Sequence, residues 1–411
     1  MPTSLRLPLP ALWLGLTLLS ACGESTASGS TAADATQTIR DVNPPTGGTP
    51  APSDAAVPPT GDAAPPPTGD ATRPNADATG PVTDAAAPPP GDASAPGTDG
   101  GAPTPDAGAP PETPDPNQPG GPEGDVVNAQ FDLAGVQIPL VIYRPAAVAA
   151  APVLVFVHGF QLDPALYASY GRHLATWGYV VVMPRLPGAI FGGPSHRAQA
   201  DYLIGVLDWL QAAAAGPDGP LAGRVDPERI AMAGHSLGGK LAMLATANDP
   251  RPRVVFGVDP VDAPGGPLQP VNDDYPSVAP ERMADITVPI GLVGETVNAT
   301  CQGFGCQACA PEADNFAQYA AAAQTPTYTF EIVGANHVSF LDDPNCGLFC
   351  SVCSAGTDAP DVTRRLTQRY LTAFLQVYLA GRPEFATYLR GAELQHDVDL
   401  GLVVATQENL P

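Results

Sequence analysis

From about residue 126 onward, short apolar runs alternate with longer stretches in which apolar residues return every three or four positions. The runs Val153-Leu154-Val155-Phe156-Val157, Tyr179 to Met183, Ile230 to Ala233, Val254 to Val258, Pro289 to Gly294 and Tyr328 to Val333 read as strands. Those that are almost wholly apolar suit a sheet covered on both faces. Between them, Tyr167 to Trp177 places Tyr170, Leu174 and Trp177 on one helical face, and Ala200 to Ala215 does the same with Leu203, Val206, Leu207 and Leu210. Lys240 to Ala245 is helix-forming, helix patterns are expected between the later strands, and a long helix from Val362 to Leu379 closes the chain. Two alternating segments, Phe131-Asp132-Leu133 and Pro139 to Tyr143, form a pair of strands ahead of this series, joined near Ala134-Gly135. Strand and helix in strict succession predict the α/β class: a mostly parallel, doubly wound sheet flanked by helices.

Before residue 126 the pattern is different. Arg6 precedes an apolar stretch from Ala11 to Leu19, too short to cross a bilayer as a helix and suited to the core of a signal peptide. It ends in Leu19-Ser20-Ala21-Cys22, which resembles a bacterial lipoprotein box and implies cleavage after residue 21 and lipidation of Cys22. Gly23 follows where an aspartate would resemble an inner-membrane retention signal, so an outer-membrane or surface destination is expected. Residues 23–125 contain no aromatic residue and no lysine, and proline clusters such as Pro65-Pro66-Pro67 recur. Such a chain cannot bury enough apolar surface to offset its ordering entropy. The phrase Pro58-Pro59-Thr60-Gly61-Asp62-Ala63 returns at 66–71 without any apolar position to stack, so it reads as a disordered Pro/Ala/Asp-rich spacer. A coil of this length reaches roughly 50–60 Å, enough to hold a domain clear of a membrane. The expected organisation is a signal peptide over 1–21, the anchor and tether over 22–125, and a catalytic domain over 126–411.

The chemistry centres on Gly234-His235-Ser236-Leu237-Gly238-Gly239. It fits G-x-S-x-G between a strand and a helix, the nucleophile elbow that leaves a serine Oγ exposed at the apex of a strained turn. A serine hydroxyl is a weak nucleophile; it needs a base within hydrogen-bond reach and a carboxylate to orient that base. Of the six histidines, His337 follows the last strand, where such folds place the base, whereas His235 points away from the serine, His173 lies inside a helix, and His196 and His396 sit in polar surroundings. Three carboxylates stand at strand ends: Asp259, Asp262 and Glu295, with Asp259 the preferred partner. The loop His158-Gly159-Phe160 after an earlier strand supplies a second amide, so the backbone N–H groups of Phe160 and Leu237 are the expected oxyanion donors, with His158 holding the loop. Residues 185–197 form a Gly/Pro-rich loop whose Ile190 and Phe191 are expected to overhang the site.

A net charge of −24 with scattered basic residues argues against binding nucleic acid. Apart from Cys22, six cysteines remain: Cys301, Cys306, Cys309, Cys346, Cys350 and Cys353. An even set in an exported chain points to disulfides of unknown connectivity, while the C-x2-C pairs 306/309 and 350/353 leave a zinc site as the alternative.

The run PVLVFVHGFQLDPALYASYGRHLATWGYVVVMPRL, the elbow GHSLGGK, the strand end GVDPVDA, CAPE at 309–312 and NHVSFLDD at 336–343 resemble the chlorophyllase branch of the α/β-hydrolases over residues 137–382. Cutinase-like polyester hydrolases and platelet-activating-factor acetylhydrolases are similar at a greater distance. The resemblance implies the α/β-hydrolase fold and carries the family's triad positions onto Ser236, Asp259 and His337. It departs from plant members at Leu237, where their elbows resemble GHSRGG, and at Asn336-His337-Val338-Ser339. The expected activity is hydrolysis of a small-molecule or lipid-like carboxylic ester through an acyl-enzyme, without cofactor or metal, by a monomer held to a membrane through Cys22. A secreted polyester or lipid hydrolase is the alternative within the same chemistry, and a non-catalytic surface binding module is the alternative outside it.

Overall fold

The computed structural model describes residues 113–188, 193–264, 271–300, 308–347 and 350–410. The signal segment, Cys22 and nearly all of the tether lie outside them, as do Ile190, Phe191, Cys301 and Cys306. Nine strands form one sheet: β1 (Asp125–Leu133), β2 (Val136–Arg144), β3 (Ala151–Val157), β4 (Val180–Pro184), β5 (Val225–His235), β6 (Pro252–Val258), β7 (Ile290–Glu295), β8 (Thr327–Ile332) and β9 (Val403–Glu408). Their order is β1-β2-β4-β3-β5-β6-β7-β8-β9. Every pairing from β4 through β8 is parallel, and β1, β2 and β9 add antiparallel edges. This mixed, mostly parallel sheet flanked by helices is the α/β-hydrolase fold that the sequence pattern and resemblance imply.

The apolar runs explain the two-sided core. Every residue of β3 is buried, with Val153, Val155 and Val157 entering the cluster on one face and Leu154 and Phe156 the cluster on the other. Helices α2 (His196–Ala215), α3 (Leu237–Asn248) and α4 (Phe316–Ala322) contribute to the first face; α1 (Ala168–Thr176) and α5 (Pro360–Tyr378) cover the second. Each fully buried Val, Leu or Phe contributes about 1.5–3 kcal/mol, so the strands are fixed by their partners on both sides. The Ser195 hydroxyl caps α2 by accepting from the Ala198 N–H, which starts that helix four residues ahead of the pattern-based boundary.

Three expectations are corrected. No full helix lies between β6 and β7 among the described residues, only a single 3-10 turn at Met283–Asp285. Pro260, Pro264, Pro276, Pro280 and Pro289 interrupt the described part of that segment, and proline breaks a helical ladder. β5 begins at Val225, five residues ahead of the apolar run Ile230 to Ala233, so Asp226 to Arg229 belong to the strand as well. The chain does not close on α5: two short helices, α6 (Thr387–Arg390) and α7 (Ala392–Asp399), lead into β9, which pairs antiparallel with β8.

Candidate active site

The elbow is built by close approach. A Cβ on Gly234 would lie 2.4 Å from the Gly238 carbonyl, and one on Gly238 would lie 2.3 Å from the Val157 oxygen, so only glycine admits this turn between β5 and α3. Ser236 takes φ 57° and ψ −126°, a conformation strained for any residue with a side chain. Its backbone is held on both sides: Ser236 N–H donates to Val258 O, and Ser236 O accepts from Gly239, Lys240 and Val261. The hydroxyl is thereby presented at the C-terminal edge of the sheet.

His337 reaches that hydroxyl from the loop after β8. Its Nε2 lies 2.8 Å from Ser236 Oγ, and its Nδ1 lies 2.5 Å from Asp259 Oδ2. An ionised carboxylate only accepts, so Nδ1 carries the proton and Nε2 is left to accept from the serine hydroxyl. Asp259 follows β6, is fully buried and has φ 42°; its N–H donates to Val293 O at 2.6 Å. Burial pushes the Asp259 carboxyl up from its usual range, while its hydrogen bond to His337 pulls it back. The His337 backbone is anchored as well, its N–H donating to Asn298 Oδ1 at 2.9 Å.

The other carboxylates face elsewhere. Asp262 pairs with Lys240 at 3.0 Å and accepts from the Ser277 hydroxyl and the Val278 and Ala279 N–H groups. Glu295 accepts from the N–H groups of Val297 and Asn298, and burial, with Asp259 nearby, pushes its carboxyl up to about 8. Of the remaining histidines, His158 donates from Nδ1 to Gly159 O and accepts at Nε2 from Leu186 N–H, so it ties the loop after β3 to the loop after β4. Its imidazole is held below the usual range by burial. His173 meets Thr372, and His396 is exposed on α7. His196 is not in the polar surroundings expected for it; it is buried with its ring against Tyr275.

The expected oxyanion donors share the same edge. Leu237 opens α3, whose first turn packs on the Val157 and His158 carbonyls, and a Cβ on Gly159 would lie 3.3 Å from Ser236 Cβ. Phe160 follows it, with a half-exposed side chain. Two disulfides are described, Cys309–Cys353 and Cys346–Cys350, so the thiols that the zinc alternative requires at 309, 350 and 353 are already bonded to other sulfurs. The sequence pattern does not single out Lys240 or Asn298 as residues that support the site. The usable signal for the first is that it is the chain's single lysine, directly after the elbow glycines; Asn298 has none beyond its position three residues past a buried strand.

A serine on a strained strand-to-helix turn, hydrogen-bonded to a histidine that is itself bonded to a buried aspartate, defines a protein of the α/β-hydrolase class. The chlorophyllase family model matches residues 123–399, more than half of the chain, and the chain belongs to that family. Among curated relatives it is similar to Chlorophyllase-2 of Arabidopsis thaliana, 25% identical over 255 residues, covering 59% of this chain and 78% of the relative. It is also 26% identical over 257 residues to the chloroplastic Chlorophyllase-1 of Citrus sinensis, covering 60% and 74%, and 26% identical over 275 residues to Chlorophyllase type 0 of Chenopodium album, with the same coverage. Membership of this family supports a carboxylic-ester hydrolase of the α/β-hydrolase type.

Proposed function

We propose that the protein is a serine carboxylic-ester hydrolase in which Ser236 attacks the ester carbonyl, His337 takes and returns the proton, and Asp259 fixes the imidazole tautomer. The observation that carries this reading is the continuous path from Ser236 Oγ through both ring nitrogens of His337 to Asp259 Oδ2. In the first step the serine oxygen bonds to the acyl carbon as its proton passes to His337 Nε2. The negative charge that develops on the carbonyl oxygen is taken up by the N–H groups of Phe160 and Leu237. Collapse of the tetrahedral intermediate releases the alcohol, which leaves with the proton from Nε2. Water, deprotonated by the same nitrogen, then releases the acid from the acyl-enzyme.

The test is turnover of a short p-nitrophenyl ester with labelling by a fluorophosphonate. Ser236→Ala is expected to lower kcat on the order of 10⁶-fold and to abolish labelling. Intact labelling in that variant points to another nucleophile, and a wild-type domain that neither labels nor turns over is a binding module instead. The relatives are chlorophyllases by name, which supports a small-molecule or lipid-like carboxylic ester as the substrate class. Comparing soluble short esters, long-chain emulsions and insoluble polyester separates that class from a secreted polyester or lipid hydrolase. We further propose that the domain works as a monomer outside the cytoplasm, tethered through lipidated Cys22. Metabolic labelling with a fatty-acid probe, lost in Cys22→Ser, tests the anchor.

A further inference from the structure

We propose that Tyr167 and His235 are positioning residues that lock the oxyanion loop to the catalytic base through a one-way chain of hydrogen bonds. The inference rests on the reading of Ser236 and His337 given above. Three segments far apart in sequence meet here. The Gly159 N–H donates to the Tyr167 hydroxyl at 3.1 Å, Tyr167 Oη lies 2.8 Å from His235 Nδ1, and His235 Nε2 lies 2.9 Å from His337 O. Gly159 directly precedes Phe160, and His235 directly precedes Ser236.

The chemistry of each atom fixes the direction. A carbonyl only accepts, so His235 Nε2 must carry a hydrogen. His235 is fully buried, and burial together with the neighbouring His337 holds its imidazole well below the usual range, so the ring is neutral and its Nδ1 is bare. Nδ1 then accepts from the Tyr167 O–H, and the Tyr167 oxygen accepts from Gly159 N–H. Reversing any member leaves a buried donor or acceptor unmatched, at a cost of about 1–3 kcal/mol.

The packing gives the chain its purpose. Tyr167 closes the 3-10 turn Pro164–Tyr167 and is fully buried. The His235 ring lies 4.7 Å from the His337 ring, at 34°. During turnover His337 becomes an imidazolium, and a second charged imidazole at that distance would oppose it. The bond from Tyr167 occupies the nitrogen that would otherwise take a proton, so His235 stays neutral while its Nε2–H holds the His337 backbone in place. The oxyanion loop, the nucleophile's neighbour and the base loop are thus set by one chain of three bonds. Glycine at 159 is needed for it: an added Cβ would stand 3.2 Å from His235 Nδ1 and 2.9 Å from Leu162.

The test uses Tyr167→Phe, which removes one oxygen, His235→Phe, which removes both ring nitrogens, and His235→Gln, whose amide N–H can still donate to His337 O. Rates on p-nitrophenyl butyrate are normalised to serines titrated with a fluorophosphonate, so that unfolded protein does not count. Tyr167→Phe is expected to lower kcat between about 10-fold and 100-fold with KM within about twofold, the size expected for misplacing a catalytic group. His235→Phe should lose at least as much, His235→Gln should recover part of it, and Tyr167→Phe/His235→Phe should be no slower than His235→Phe alone. Normalised kcat unchanged in both single phenylalanine variants overturns the proposal, as does strict additivity in the double variant. Turnover surviving in Ser236→Ala would overturn the underlying reading instead, an outcome the Tyr167 and His235 variants cannot imitate.

Discussion

Asp259 gives only one of its two oxygens to His337: Oδ2 lies 2.5 Å from Nδ1, while Oδ1 is buried without a hydrogen-bond partner. A buried, half-partnered carboxylate has a strong preference for a cation beside it, and in the proposed mechanism the His337 imidazolium formed in each acyl-transfer step is that cation. Asp259→Asn should therefore be far more damaging than its size suggests. The asparagine amide can turn its N–H₂ toward Nδ1, forcing the proton onto Nε2, where it can no longer accept from Ser236. The expected loss is about 10⁴-fold in kcat with little change in KM. Asp262→Asn and Glu295→Gln, assayed alongside, should stay within about tenfold of wild type, because neither carboxylate touches His337.

Glu295 supplies a prediction on stability and pH. Its carboxyl loses a proton near 4.5 in the unfolded chain but near 8 in the native one, held there by burial and by the charge on Asp259. Between those values the native state binds the extra proton, so stability falls as pH rises. The contribution is complete below about 4.5 and gone above about 8. Glutamine imitates the protonated acid and does not titrate. Melting curves of wild type and Glu295→Gln from pH 5 to pH 9 should diverge, with the variant losing less as pH rises. Parallel curves would show that Glu295 is ionised throughout.

Much of this arrangement is legible in the sequence because steric rules act locally. The elbow needs glycine at 234 and 238, and the buried strands need apolar residues at every position, so both leave a strong local pattern. The edge strand β9 leaves almost none: Val403 is its one buried residue, and Val404, Thr406 and Gln407 are exposed, so its sequence reads like a polar loop. Choosing among Asp259, Asp262 and Glu295 is likewise beyond local pattern. All three end or follow a strand, and what separates them is a set of distant partners: His337 for the first, Lys240 and Ser277 for the second, the Asn298 backbone for the third. Cysteine pairing depends on the same long-range geometry, which is why spacing alone suggested C-x2-C units that the fold does not use.

Lys240 and Asp262 form an ion pair with almost no solvent contact. Lys240 also donates to the carbonyls of Asp262 and Ala263, so one ammonium ties α3 to the segment that begins at Asp259. Removing one partner strands the other charge, which typically costs about 3–5 kcal/mol. Lys240→Met should lose stability of that order in urea denaturation. In Lys240→Met/Asp262→Asn the stranded charge is gone, and the amide oxygen still accepts from Val278 and Ala279. The double variant is expected to be more stable than Lys240→Met, and simple addition of the two single losses would refute the coupling.

The Cys309–Cys353 disulfide closes a separation of 44 residues, against 4 for Cys346–Cys350. Chain-entropy reasoning gives about 4 kcal/mol for the long loop and about 2 kcal/mol for the short one. The longer bridge also bears on the site. Cys353 precedes Ser354, whose carbonyl accepts from Asn298 Nδ2 at 3.1 Å and Asn336 Nδ2 at 2.8 Å. Asn298 in turn holds the His337 N–H, and Asn336 is its chain neighbour. Cys309→Ser/Cys353→Ser should therefore lower both the melting temperature and kcat, by roughly threefold to tenfold at a temperature where the variant is folded. Cys346→Ser/Cys350→Ser should lose less stability and leave kcat within about twofold. Equal effects on kcat from the two pairs would mean that the bridge at 309 and 353 does not steady the base.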